Sequence, residues 1–290
     1  MRIRPRVAWE AWRCDRLLPL LLPECRTLES SKVELGWIKA SMPDSVGRAV
    51  RARYWRYPLQ YVLGTQPFGS VEVRCGRKVL IPRWETEEWC MRLADSIEQN
   101  SSSIRKLVLW DLCTGTGCIP MCLHEQLHAK KIPVEITAID VSPDAVRLAQ
   151  HNCKGRNIKI IQQDILASKS IPHELHGERI DVLTCNPPYI PRKHFSSGTT
   201  KSVKLFEPHL ALIGDKEFYD NLLAKWLPNT NSFIYEIGDE SQFRYVKDRL
   251  ENKEWTVDLF IDSNGKPRCV YGYRNDVGHI TEIFKAFASL

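Results

Sequence analysis

From Leu107 onward the chain alternates short apolar runs with stretches of helical periodicity. The runs at 107–111, 134–140, 158–163, 180–186, 232–237, 255–261 and 268–274 read as strands, with helices between the first six, which is the signature of a parallel sheet covered on both faces. The last two runs are joined through Asp262-Ser263-Asn264-Gly265-Lys266. Asn-Gly marks a tight turn, so the final strand should run antiparallel to its predecessor. The expected body is therefore α/β, a seven-stranded Rossmann-like sheet with one reversed strand. Ile280, Ile283, Phe284 and Phe287 pattern a last amphipathic helix that packs on it.

The first third reads differently. Leu28, Leu35, Trp37 and Ile38, then Val46, Val50 and Tyr54 beyond Pro43, give helical periodicity over residues 24–57, and Pro58 ends it. Residues 68–75 and 78–81, with Gly76 between them, predict a β-hairpin, and 85–97 a further helix with acids at its N-terminus. Asn100 to Ser103 is a polar loop. Residues 1–20 carry Arg2, Arg4, Arg6, Arg13 and Arg16 among Val7, Trp9, Trp12, Leu17 and Leu18. That pattern fits a mitochondrial presequence, and it also fits a basic first helix. The expected layout is a presequence at 1–20, a helical unit at 21–60, a hairpin linker at 61–82 and the α/β domain at 83–290.

Composition narrows the class. With 290 residues and a 43% apolar fraction the chain can build a proper core. Its longest aliphatic cluster, 17–22, is broken by Pro19 and stopped by Pro23, well short of a membrane span. The net charge of +6 is spread along the chain and suits either an acidic partner or an ordinary basic enzyme. Arg48, Arg51, Arg53 and Arg56 among Tyr54, Trp55 and Tyr57 read either as a surface for a ribosomal or release-factor partner or as a solvated helix face. Ten cysteines without a CxxC pair read as reduced thiols of an intracellular compartment.

Two segments carry the chemistry. Asp111-Leu112-Cys113-Thr114-Gly115-Thr116-Gly117 follows the first strand of the sheet and opens a helix, as a nucleotide-binding loop does. Asp140 ends the second strand, placed to accept from ribose hydroxyls, and Asp164 follows the third, at the height of an adenine amino group with Ile165 beside the ring. Only two glycines occur in the loop and no second mononucleotide half is visible, which disfavours a dinucleotide. S-adenosylmethionine fits better, since oxygen-rich and aromatic neighbours can hold its sulfonium.

The second segment is Asn186-Pro187-Pro188-Tyr189 at the tip of the fourth strand. The prolines stiffen it, so that the Asn186 carboxamide and the Pro187 carbonyl can both accept from one planar NH2 group. Tyr189 offers a ring face to a flat substrate.

Two metal patterns are set aside. Cys113, Cys118 and Cys122 lack an evident fourth ligand, and buried free thiols explain them better. His124-Glu125-Gln126-Leu127-His128 matches the zinc-protease pattern, yet its helix must press Ile119, Leu123 and Leu127 on the sheet, which turns both histidines toward solvent. No metal is expected.

With these residues in place, the chain resembles the release factor glutamine methyltransferases, the HemK or PrmC family. Beyond the shared core the likeness rests on Gln60-Tyr61-Val62-Leu63-Gly64 with Phe68-Gly69, on Val79-Leu80-Ile81-Pro82-Arg83 with Glu85-Thr86-Glu87, and on Glu207-Pro208 with Ala211-Leu212. The resemblance implies a class I methyltransferase sheet and transfer of a methyl group from S-adenosylmethionine to the side-chain amide nitrogen of the glutamine in the Gly-Gly-Gln loop of a peptide chain release factor, leaving S-adenosylhomocysteine. It implies that Asn186 and Pro187 hold the amide, that Pro188 and Tyr189 wall it, and that Thr114, Gly115, Thr116, Gly117, Asp140, Asp164 and Ile165 seat the cofactor together with Cys113 and Asn186. Cys113 stands where the family usually has glycine, a position at which a side chain crowds the loop. Trp84 stands where proline is common. Together with the basic N-terminus, the resemblance implies a mitochondrial matrix enzyme that binds no specific nucleic acid and no membrane.

Two other readings remain at this level. Asn-Pro-Pro-Tyr can also present the amino group of a flipped adenine, with 191–205, carrying Arg192, Lys193, Lys201 and Lys204, as the only candidate target-reading segment. A cofactor-binding protein without catalysis, acting through its helical unit, is the other.

Overall fold

A computed structural model describes residues 3–167, 179–250 and 254–289. The chain opens with helices α1 (Pro5–Cys14), α2 (Leu18–Cys25), α3 (Leu28–Ser41), α4 (Val46–Tyr54) and α5 (Leu59–Leu63). Thr27 caps α3 by accepting the Ser30 N–H at 3.1 Å. Ala11, Leu18, Leu21 and Leu22 share one buried cluster with Leu35, Ile38, Ala49 and Val50. The boundary expected at residue 20 thus falls inside α2, and α1 is part of the packed helical unit. Trp37 and Tyr54, expected on the apolar faces, are exposed. Leu35, Ile38 and Val50 are buried as expected, and a buried ion pair lies between the two helices, in which Arg53 Nε donates to Glu34 Oε1 at 2.6 Å.

The hairpin lies a few residues earlier than the glycine pattern suggested. Its strands are β1 (Thr65–Phe68) and β2 (Val71–Arg74), joined through Gly69 at φ +55°. Gly76 begins a different feature: residues 77–81 run through a turn and a bend rather than a second strand, fixed by Tyr61 Oη donating to the Val79 carbonyl at 2.7 Å.

The body contains α6 (Trp84–Gln99), β3 (Leu107–Leu112), α7 (Cys118–Ala129), β4 (Val134–Asp140), α8 (Pro143–Asn152), β5 (Ile158–Gln162), β6 (Val182–Cys185), α9 (Arg192–Gly198), α10 (Lys201–Phe206), α11 (Glu217–Asn221), β7 (Ser232–Glu236), α12 (Glu240–Leu250), β8 (Trp255–Ile261), β9 (Pro267–Arg274) and α13 (Gly278–Ser289). The helix expected between β5 and β6 falls largely outside the described residues. Strand order is β5-β4-β3-β6-β7-β9-β8, and β9 is antiparallel to both neighbours, as expected. One face of the sheet is covered by Trp89 and Leu93 of α6, Leu123 of α7 and Phe284 of α13, the other by Tyr219, Trp226 and Val246.

Register brings the site together. Leu112 lies opposite both Ile139 and Cys185, so residues 113, 140 and 186 leave the sheet side by side at the point where strand order reverses. Cys185 in turn lies opposite Tyr235, which sets Glu236 beside Asn186.

Candidate active site

A cleft of about 1130 Å³, counted with its open mouth, lies over the carboxyl ends of β3, β4, β5 and β6. Its walls include residues 79–83, 113–116, 139–142, 163–166 and 208, 210 and 211. The cofactor loop forms one side. Cys113 takes φ +56°, Gly115 +57° and Gly117 +77°, so a non-glycine side chain does occupy a left-handed position. Gly117 lies beneath the cleft, and a Cβ there would meet Cys153 Sγ at 3.1 Å.

Asp140 is held by the loop it faces. Its Oδ2 accepts the Gly115 N–H at 2.8 Å and its Oδ1 the Ser142 N–H at 2.9 Å, and each oxygen keeps a lone pair. Burial raises its pKa. Asp164 uses Oδ1 on the N–H groups of Leu166 and Ala167, at 2.9 and 3.1 Å, and Ile165 is buried beside it. Thr114 Oγ1 and Asp111 Oδ2 are buried without a hydrogen-bond partner. The two side chains face each other, and the Thr114 hydroxyl counters the effect of burial on the Asp111 carboxyl. An apolar-walled cleft with carboxylates at two strand ends and the Thr114 hydroxyl in its wall fits S-adenosylmethionine.

Asn186 reaches the cleft from β6, and Pro188 lines it. The carboxamide is oriented by a buried partner, its Nδ2 donating to Thr86 Oγ1 at 3.1 Å. This leaves Oδ1 as the carboxamide atom offered to a substrate. Pro187 is buried and lies outside the lining. Tyr189 also lies beside the cleft rather than in its wall: its carbonyl accepts from Gln242 Nε2 at 3.1 Å, and a Cβ on Gly238 would come within 3.1 Å of its ring. Burial raises the Tyr189 phenol, helped by the Glu236 carboxylate. Geometry thus unites Cys113, Thr114, Gly115, Thr116, Asp140, Asp164, Ile165, Asn186 and Pro188, and leaves Gly117, Pro187 and Tyr189 as supports around them.

Sequence reasoning gave no role to Thr86, Trp89 and Glu236, which stand directly behind Asn186. One signal was present: Glu236 is an acid at the carboxyl end of a buried strand, the feature that marked Asp140. The zinc-protease look-alike sits elsewhere. Ile119, Leu123 and Leu127 face the core, the His124 and His128 rings stack on each other, and Glu125 accepts from Arg156 at 2.6 Å. The basic-aromatic segment of α4 is divided, with Arg53 buried on Glu34 and Arg56 paired with Glu24 at 3.1 Å. The 191–205 segment forms α9 and most of α10. Ser202 Oγ donates to the Arg56 carbonyl at 2.8 Å, and Phe206 packs edge-on against Tyr57 at 5.2 Å, so α10 is engaged with the helical unit.

The family profile described as Methyltransferase small domain matches residues 93–205. The chain is 42% identical to the Mitochondrial MRF1 N(5)-glutamine methyltransferase MTQ1 of Saccharomyces cerevisiae, over 100% of this chain and 95% of that protein. This chain belongs to the release factor glutamine methyltransferases. A bacterial member from Mycolicibacterium smegmatis, named Release factor glutamine methyltransferase, is 31% identical over 78% of each chain. Among solved structures, the hMettl16 catalytic domain in complex with the MAT2A 3'UTR hairpin 1 superposes with TM-score 0.53 at 14% identity, covering 84% of this methyltransferase and 92% of that chain. That likeness speaks to the shared sheet alone.

Proposed function

We propose that this enzyme methylates the side-chain amide nitrogen of the glutamine in the Gly-Gly-Gln loop of a peptide chain release factor, in the mitochondrial matrix. The observation that carries the reading is the fixed Asn186 carboxamide at the cleft, with Nδ2 occupied by Thr86 and Oδ1 left to accept a substrate N–H. In this reading Pro188, in the cleft wall, confines the plane of the same NH2 group, the Pro187 carbonyl accepts its second hydrogen once the substrate is seated, and Tyr189 backs Pro188 from behind the wall. The helical unit and hairpin select the factor. Residues 1–20, with exposed Arg4, Arg6, Arg13 and Arg16, direct import.

An amide nitrogen is a poor nucleophile because its lone pair is delocalised into the carbonyl. S-adenosylmethionine held by these residues would supply an electrophilic methyl group and leave as a neutral thioether, and the surplus proton on the amide nitrogen would pass to water. The protein contributes alignment. Holding donor and acceptor in line is worth on the order of 7–11 kcal/mol in well-oriented reactions. Hydrogen bonds from the NH2 group to Asn186 Oδ1 strengthen as positive charge builds on nitrogen, so they favour the transition state over the bound substrate. Asp140 and Asp164 hold the adenosine end, with Thr114 available to the methionine end.

The test incubates purified protein and radiolabelled S-adenosylmethionine with a release factor, with its Gly-Gly-Ala variant, or with duplex DNA. Label is expected in the unmodified factor alone, and Asn186→Ala should slow transfer by at least about tenfold, the scale of one lost oriented hydrogen bond. Label in DNA, or in the variant factor at an undiminished rate, would overturn the reading.

A further inference from the structure

Behind Asn186 runs a buried hydrogen-bonded chain of which methyl transfer, as described above, calls on the first bond alone. Asn186 Nδ2 donates to Thr86 Oγ1, the Thr86 hydroxyl donates to Glu236 Oε1, and Trp89 Nε1 donates to the same oxygen at 2.9 Å. Thr86, Trp89 and Glu236 are 1%, 0% and 3% exposed. With Glu236 ionised, the direction of each bond is forced. The indole nitrogen can only donate, so Glu236 Oε1 must accept. A hydroxyl with one hydrogen, set between an NH2 group and a carboxylate, gives that hydrogen to the carboxylate and accepts from the NH2. The Asn186 carboxamide is therefore locked with its oxygen pointing away from Thr86.

We propose that Glu236 is a positioning residue that acts through Thr86 on Asn186, fixing the carboxamide with Oδ1 toward the substrate amide and enriching that oxygen as an acceptor. The inference rests on the glutamine-methylating reading and adds a source for its strongest contact. A negative charge at Glu236 polarises the Thr86 hydroxyl, the polarised oxygen draws more strongly on the Asn186 N–H, and electron density shifts toward Oδ1. Cooperative strengthening of this kind is about 10–30% per bond. No proton moves along the chain; the effect is polarisation alone.

The charge state is set by the surroundings. Burial raises the Glu236 carboxyl from the usual range to about 7, aided by Glu85 and opposed by the hydrogen bonds from Thr86 and Trp89 and by Arg268. Asp111, pushed to about 7 by its own burial, lies near enough to interact with it. The other titratable neighbours, Tyr189, Tyr219, Cys185 and Cys269, are all raised by burial and stay neutral in this range. Because Asp111 titrates in the same window, only a substitution at Glu236 assigns the effect.

Two readouts test the relay. In the protein without substrate, the Asn186 side-chain 15N–1H resonances should move as pH passes through about 7, and Glu236→Gln and Thr86→Val should each remove most of that movement, leaving the part that Asp111 contributes, while Thr86→Ser keeps it. In the methylation assay, Thr86→Val should lower kcat by about tenfold or more with the Kd for S-adenosylhomocysteine within about twofold of wild type, Thr86→Ser should recover most of the rate, and Glu236→Gln should remove the acid limb near pH 7 from the kcat profile. A wild-type Asn186 resonance insensitive to pH, a Thr86→Val enzyme with full kcat, or an acid limb that survives in Glu236→Gln overturns the proposal. If the wild-type protein leaves every release factor unlabelled while the Asn186 titration is present, the functional reading fails and the relay stands as a property of the site.

Discussion

The Glu207 carboxylate closes on Arg83 through two hydrogen bonds, of 2.7 and 2.8 Å, and also accepts the Ile81 backbone N–H at 3.2 Å. The contact ties the segment at 79–83, one wall of the cleft, to the segment at 208–211, another.

The cost of breaking this clamp depends on which partner is left behind. The Glu207 side chain is 2% exposed and that of Arg83 is 30% exposed. After Arg83→Ala a buried carboxylate loses its counter-charge, a change that costs about 3–5 kcal/mol. After Glu207→Ala the guanidinium can turn to water and the main loss is one backbone partner, about 1–3 kcal/mol. Urea unfolding should therefore rank Arg83→Ala as the less stable, and calorimetry should show weakened S-adenosylhomocysteine binding in both. The opposite ranking would mean that Glu207 is solvated once freed.

Gly214 supports the Asn-Pro-Pro-Tyr segment from outside. Its own N–H donates to the Ile190 carbonyl at 3.2 Å, and a Cβ at this position would lie 2.3 Å from the Pro188 oxygen and 2.8 Å from the Phe218 ring. A backbone carbonyl can yield only if the strand tip moves. A displacement of about 1 Å at a positioning element can cost on the order of a hundredfold in rate. Gly214→Ala should lower kcat by at least tenfold by this argument, whereas Gly198→Ala, where a Cβ meets nothing within 4 Å, should leave it unchanged. Equal rates in the two variants would remove Gly214 from the account.

Much of this architecture was legible in the sequence because parallel strands buried on both faces write themselves as continuous apolar runs. Asp140, Asp164 and Asn186 were legible for a related reason: each stands where such a run ends, and ligands in these sheets bind there. The hairpin was misplaced because Gly69 and Gly76 are equal candidates for a turn until the packing of Phe68, Val71 and Val73 selects the first. Trp37 and Tyr54 were misassigned because periodicity names a helix face only up to the choice its neighbours make. The Thr86–Glu236 contact joins residues 150 positions apart, and only the packing of α6 against the sheet reveals it.

Cys113 tests the cofactor loop against a familiar expectation. At most positions alanine is more stable than glycine because it restricts the unfolded chain. At φ +56° a Cβ is strained by about 1–2 kcal/mol. Replacing Cys113 by either residue removes the same thiol, so comparing Cys113→Gly with Cys113→Ala isolates the backbone effect. Cys113→Gly should be the more stable of the two by about 1 kcal/mol in chemical unfolding. If Cys113→Ala is as stable or more so, the left-handed conformation carries no strain there.

Stability should also depend on pH in a direction set by buried acids. Burial raises Glu236 and Asp111 to about 7 and raises Asp140 as well, so in each case the folded protein binds the proton more tightly than the unfolded chain. Across the window from the ordinary carboxyl range up to about 7, the folded state holds more protons, and the free energy of unfolding falls as pH rises. Half-buried His124 opposes this, because burial lowers its pKa and it gives up its proton earlier in the folded state. Asp15, Asp262 and Asp276 have lowered values, and the stability they add is lost only in more acidic solution. Ligand-free protein should be more stable at pH 5.5 than at pH 8, and Glu236→Gln should flatten that slope by up to about 1.4 kcal/mol per pH unit, the contribution of one titrating group. Urea unfolding at a series of pH values reads both quantities. Parallel curves for wild type and Glu236→Gln would show that the Glu236 carboxyl is hydrated and already ionised below this window.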